Sequence, residues 1–199
     1  MPLPTGVALQ DPRRQLFDAA ARVLVRDGVT GLTSRAVTAE AEVAKGVLHR
    51  HFADFDAFLA ELVLDRIAGI EAQAAALQDA AGTGSVADNL TRALMTLFEP
   101  VMVAIVVLVI ARDELRARLR TAGTARFPLV GEGAAMIAGY LRAERDQGRI
   151  APDADVDTLA PTLIGATHLL FTERNDSPPQ PAAVHNVVAT VLASATRAP

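Results

Sequence analysis

The sequence has no cysteine, no tryptophan and a single tyrosine among its 199 residues. Without thiols it has no disulfide framework, no thiolate nucleophile and no cysteine-based zinc site. Aromatic residues make up 4% of the chain, against 51% hydrophobic and 21% charged. The core must therefore be built from Ala, Val and Leu rather than rings, and this composition, with little apolar–polar alternation, favours an all-α fold. Long apolar runs are also missing. The most apolar segment, Val101 to Ala111 (VMVAIVVLVIA), is shorter than the roughly 18–20 residues that span a bilayer. Extending it back to Ala93 places Glu99 and Pro100 mid-span, so it reads as a core helix and no membrane partner is expected. MPLPTG at the start has no basic stretch followed by an apolar one, so no secretory signal is read and a cytoplasmic location is expected.

Catalytic signatures are lacking too. There is no H-E-x-x-H, no G-x-S-x-G, no glycine-rich phosphate loop after a strand and no carboxylate cluster, so neither an enzyme nor a cofactor is expected. Glu144, Asp146, Asp153, Asp155 and Asp157 surround a helix–loop–helix junction and read as solvated caps. His168 and His185 stand alone in two different helices and read as packing histidines. His49 and His51 are two apart on one helix, a spacing that does not converge on one metal ion.

What is present is an uneven charge distribution. The net charge is −4, but residues 1–52 carry seven Lys/Arg against five Asp/Glu and the remainder 12 against 18. A mildly basic head on an acidic body suits a chain that touches nucleic acid with one end.

Periodicity and caps divide the chain into helices at about 11–27, 33–40, 44–50, 54–80, 85–98, 101–120, 127–148, 155–174 and 181–196. Asp11-Pro12 opens the first and Gly28 is a natural stop. Thr33 or Ser34 caps the second, Asp54 the fourth, and Asp176-Ser177-Pro178-Pro179 separates the last two. A boundary near 52–54 sets a three-helix head, residues 1–53, apart from an all-helical body, residues 54–199.

The most informative segment is Leu32 to Phe52, LTSRAVTAEAEVAKGVLHRHF. Two short helices meet at a tight turn, Ala41-Glu42-Val43, which is the pattern of a helix-turn-helix. A helix that enters the major groove needs small or polar residues at its leading end. Ala44, Lys45, Gly46 and Val47 permit close approach; His49, Arg50 and His51 add donors. Thr33, Ser34 and Arg35 stand where the preceding helix meets backbone phosphates. The competing reading makes Lys45 and Arg50 ordinary solvated helix charges.

Segment 13–62 resembles the DNA-binding head of the TetR (tetracycline-repressor-like) family. That head has an amphipathic first helix ending in Gly, a Thr-capped helix and a pattern close to A-G-V-S-K-G-T-L-Y-x-H-F. Here the residues are Ala41-Glu42-Val43-Ala44-Lys45-Gly46-Val47-Leu48-His49-Arg50-His51-Phe52. The resemblance implies DNA-facing roles for Thr33, Arg35, Lys45, Gly46, Val47, His49 and His51, with Lys45, His49 and His51 on phosphate and Arg35, Gly46 and Val47 toward bases. Glu42 replaces the turn glycine, His49 the usual Tyr and Thr38 a small Ala. If the turn needs a positive φ, Glu42 costs roughly 1 kcal/mol.

For the body the resemblance implies a ligand cavity inside the bundle and a homodimer through helices near 155–174 and 181–196. Met95, Phe98, Met102, Ile105, Val109, Met136, Tyr140 and Phe171 are candidate walls for a small, mostly apolar ligand; the same residues also serve simply as core. The stripe Val184, Val187, Val188, Val191, Leu192, Ala195 and the face Val156, Leu159, Leu163, Leu170 are expected to lack partners in a monomer. The chain is thus expected to be a ligand-responsive regulator, a repressor on a double-stranded DNA operator. The rival is a helical ligand-binding or interaction protein whose head has lost DNA binding.

Overall fold

A computed structural model of the chain describes residues 11–125, 127–172, 178–193 and 195. The described residues form ten helices and no strand: α1 (Pro12–Gly31), α2 (Ser34–Glu40), α3 (Gly46–His51), α4 (Phe55–Asp79), α5 (Val86–Leu97), α6 (Pro100–Ala111), α7 (Asp113–Thr121), α8 (Val130–Asp146), α9 (Val156–Thr172) and α10 (Pro181–Leu192). The N-terminal segment, Asp176-Ser177 and the last residues expected in the final helix, Ser194 and Thr196, lie outside the described residues.

The starts follow the caps. Asp11 accepts from Arg13 N at 3.0 Å, Thr33 from Ala36 N at 3.1 Å, Asp54 from Ala57 N at 2.7 Å and Ser85 from Asp88 N at 3.3 Å. Each satisfies a backbone donor that the first turn leaves open. Gly28 takes φ 69°, which interrupts helical geometry, and one further turn follows before Leu32. Helix α8 begins later than its pattern suggests, because Leu129 sits at φ 71° and its N–H is taken by Glu132 at 2.6 Å.

One expected helix is two. The segment 101–120 breaks at Arg112 (φ −125°, ψ 104°), so α6 and α7 leave each other at an extended residue. Nothing in the local sequence announces the break. A long-range contact holds it: Arg112 Nη1 lies 2.8 Å from Asp56 and its guanidinium is 5.7 Å from the Phe55 ring.

α4 is the spine. It buries Phe58, Leu59, Leu62, Val63, Ile67 and Ile70 and packs on α7 and α8. Each of these buried side chains contributes up to about 1.5–3 kcal/mol in removal of apolar surface from water. α1 packs on α2 and α6, so the head is fastened to the body's most apolar helix. No single described helix is long and apolar enough to cross a membrane, and α5 and α6 are bent 58° to each other.

The α9 and α10 stripes require a correction. Val184, Val188, Leu192, Ala195, Val156 and Leu163 are all buried within one chain, because α10 lies on α5 and α9. They do not lack partners in a monomer. What remains open on these helices is Leu169, 65% exposed, with Leu159, Leu170, Val187 and Val191 half-buried.

Candidate nucleic-acid interface and body cavity

The head closes around three rings, Phe17, Phe52 and Phe58, with centroids 5.0–5.8 Å apart. Leu48 is fully buried from α3 and Val37 from α2. Fixing those two side chains inward turns the remaining faces of α2 and α3 outward. Between them lies an open hollow of about 360 Å³ lined by Ser34, Arg35, Thr38, Lys45, Gly46 and His49.

The turn that sets the two helices is the tight one expected. Glu42 sits at φ 55°, in the left-handed region that favours glycine, and Val43 N bonds Thr38 O at 3.0 Å. Gln15 donates to Ala41 O at 2.8 Å, tying the turn to α1. Gly46 has φ in the ordinary range, and a Cβ there would meet no atom of the chain within 4 Å. Internal packing therefore does not explain this glycine.

Charge is sorted within the head. Glu40 is held by Arg22 and Arg26, both at 2.7 Å, and its carboxyl lies below the usual range because those two guanidiniums bond it. Asp27 pairs with Arg26 and Asp18 lies 3.9 Å from Arg66. Arg35, Lys45 and Arg50, in contrast, pair with no carboxylate among the described residues, and all three are exposed. His49 and His51 are exposed beside them, and Val47 is half-buried. Thr33 is exposed, its oxygen already engaged as the cap of α2. Glu42 is the one exposed acid at this end. Thr38, not among the expected site residues, lines the hollow while its hydroxyl donates to Ser34 O at 2.9 Å.

In the body, a cavity of about 230 Å³ opens between the end of α5, α6, the start of α8 and α9. Phe98, Met102, Val103, Val106 and Ile110 form one side, with Ile164, Gly165 and His168 of α9 opposite. Of the eight expected wall residues it brings two together, Phe98 and Met102. Phe171 stacks on Phe98 at 5.4 Å just behind the wall. Val109 lines a neighbouring hollow of about 300 Å³ with Arg116 and Phe127. Ile105 and Met136 are packed into the core, and Met95 lies half-buried against it.

Tyr140 is placed elsewhere and lines neither of these hollows. It is fully buried, its hydroxyl accepting from Asn89 Nδ2 at 3.0 Å and donating to Glu144. Burial and the adjacent carboxylate push the phenol above its ordinary value. Glu144 is also fully buried, which corrects its reading as a solvated cap. Arg149 holds it through Nε and Nη2, both at 2.6 Å, and reaches Gly84 O at 2.8 Å. The spacing Ile137, Leu141, Glu144 carried this signal, since it puts the acid on the apolar stripe. Asp155, in contrast, does cap its helix, accepting from Thr158 N at 3.1 Å. His185 faces Asp88 at 3.3 Å.

Residues 16–62, the segment that builds this face, match the family described as bacterial regulatory proteins, tetR family. The match covers the head and the start of α4, and none of the rest of the body. No curated protein matches the chain. Solved structures extend the likeness over the body. A structure described as a tetR-family transcriptional regulator from Mesorhizobium loti MAFF303099 is 16% identical, with a TM-score of 0.66 over 96% of this chain and 100% of that one. The fatty acid degradation regulator FadR of Bacillus halodurans gives 14% and 0.68 over 92% and 96%. SmeT, the repressor of the Stenotrophomonas maltophilia multidrug efflux pump SmeDEF, gives 18% and 0.63 over 93% and 90%. At such identities what is shared with tetR-family structures is the fold.

Proposed function

We propose that the chain is a cytoplasmic homodimeric repressor that occupies a palindromic operator and leaves it when a small, mostly apolar molecule enters the body. The carrying observation is the sorted charge of the head: among the described residues the cations of the α2–α3 face pair with no carboxylate, while most of the head's acids are engaged elsewhere. Residues 1–53 then form the DNA-binding domain and 54–199 the ligand-binding and dimerisation domain. Lys45, His49 and His51 hold phosphate; Arg35, Gly46 and Val47 face base edges; Thr33, Ser34 and Arg50 flank them. The open space around Gly46 supports close approach of a groove.

Support for the dimer comes from the outer faces of α9 and α10. Asp157 is the only Asp, Glu, Lys or Arg in either helix, and charge depletion of this kind marks the centre of an interface. A two-fold dimer presents its recognition helices roughly 34–36 Å apart, one turn of DNA. Ligand response has a route: α6 walls the cavity, packs on α1, and ends at Arg112, bonded to Asp56 at the start of α4. Arg118 of α7 bonds Asp54, which caps the same helix. A molecule that prefers one placement of α6 lowers DNA affinity by its own differential affinity, and DNA must weaken the ligand equally.

A mobility-shift assay with the DNA upstream of the chain's own gene tests the reading. The expected result is a retarded band with a dyad-symmetric footprint. Lys45→Ala should weaken specific and random DNA alike and reduce the salt slope by about 0.9. Arg35→Ala should cost about 1–3 kcal/mol and relax preference at one position. A second reading, a head that no longer binds DNA, is favoured by Glu42, an exposed acid beside the face. Absence of any shift at low salt would establish it.

A further inference from the structure

We propose that the α5–α6–α8–α9 cavity is built for a small carboxylic acid, its apolar part among the aliphatic wall and its carboxylate on His168. The proposal rests on the reading that the body senses a small molecule, and it names the chemistry of that molecule. Three observations carry it.

First, among the described residues His168 is the only polar side chain on a wall otherwise made of residues such as Leu97, Phe98, Met102 and Val106. An apolar wall with one convergent polar group both binds a hydrocarbon and fixes its orientation. Second, the imidazole makes no hydrogen bond to the protein among the described residues. It packs against the Phe98 ring at 5.9 Å, which holds its position while its nitrogens stay unengaged. A half-buried donor without a partner gains from any ligand that brings an acceptor, more so from a charged one. Third, among the described residues no Asp or Glu lines this cavity or the hollow beside it, where the charged side chain is Arg116. Arg116 is already engaged with the Val109 and Ile110 carbonyls and Asp113. The local charge therefore disfavours a cationic ligand and leaves His168 to meet the anion. The volume of about 230 Å³, at roughly 30 Å³ per water-sized unit, holds about eight non-hydrogen atoms, and its open mouth takes the end of a slightly longer molecule.

The test is calorimetric titration of the full chain, without DNA, by octanoate, methyl octanoate and octylamine. Octanoate is expected to bind at least about ten-fold more tightly than octylamine. His168→Leu should lower octanoate affinity about ten-fold and leave the ester within a small factor, and Val103→Trp should abolish binding of both. Equal or tighter binding of the amine, an octanoate affinity untouched by His168→Leu, or no binding by any of the three would overturn the assignment. So would dissociation of the dimer by Val103→Trp, which would make a second copy the occupant. The comparison on the unaltered chain stands even if a variant fails to fold. Octanoate that binds yet leaves DNA retained keeps this site and refutes induction; release of DNA by another compound, with octanoate inert, refutes this site alone.

Discussion

Four of the seven phenylalanines, Phe17, Phe52, Phe55 and Phe58, meet in the head and at its junction with α4, with ring centroids 5.0–5.8 Å apart. The body closes mainly on Leu, Ile and Val, with Phe98 and Phe171 stacked beside its cavity, and keeps its single tyrosine and a buried Glu144 at the other end. Rings have preferred mutual geometries, so a few of them fix the relative placement of three short helices. Aliphatic side chains are nearly interchangeable at constant volume, and a bundle made of them fills space without dictating one arrangement. The head is accordingly specified by a handful of contacts, and the body tolerates a hollow.

The sharpest way to break that contrast is Phe58→Ala, which removes the ring that touches Phe17, Phe52 and Phe55. A loss of about 3–5 kcal/mol is expected in denaturant unfolding, with DNA binding lost first. A loss below about 1 kcal/mol would show that the ring cluster does not organise the head. Next is Arg149→Met, which strands the Glu144 carboxylate. About 3 kcal/mol is expected, the low end for a buried pair because Arg149 is partly exposed, and the added change Glu144→Gln should recover part of it. Glu42→Gly relieves a left-handed residue and should add about 1 kcal/mol, raising Tm by about 2–4 °C.

The smallest effect is at Asp54. Its carboxyl is held below the usual range, first by the Ala57 N–H it caps and then by Arg118. The stabilisation is present above the unfolded value of about 3.9 and is lost as pH falls through the lower folded one. Asp54→Asn preserves a good cap, so the Tm difference between the two chains should be small at neutral pH and shrink in acid. A difference that grows in acid would contradict the assigned sign.

Legibility followed the same divide. The caps at Asp11 and Asp54 are readable, and the second helix's cap is narrowed to Thr33 or Ser34, because these signals act within four residues; the positive φ at Glu42 is only conditional from the sequence, since it rests on the turn glycine of the resemblance. Arg112 was not, since the break between α6 and α7 is set by Asp56, far away in sequence. Tyr140 misled for a related reason: a helix apolar on two faces says that both are covered, not by what. Its partner was one turn away, at Glu144, hidden by the assumption that an acid near a helix end is solvated. Of the expected cavity wall, Phe98 and Met102 lie on it; His168, the polar member, reads as a packing residue from the sequence, and nothing in a lone histidine distinguishes the two. The valines of α10 look unpartnered in sequence because α5, which covers them, lies nearly a hundred residues earlier.

The buried cluster of Asn89, Tyr140 and Glu144 has a consequence for spectroscopy. With no tryptophan and one tyrosine, all near-ultraviolet signal above the phenylalanine bands comes from a single phenol locked at the distal end of the body. Far-ultraviolet dichroism, by contrast, averages over every helix. Heating the chain while recording both therefore separates the two halves without any label. If the curves superimpose, head and body unfold as one unit; if ellipticity falls before the tyrosine band shifts, the head melts while the phenol is still enclosed.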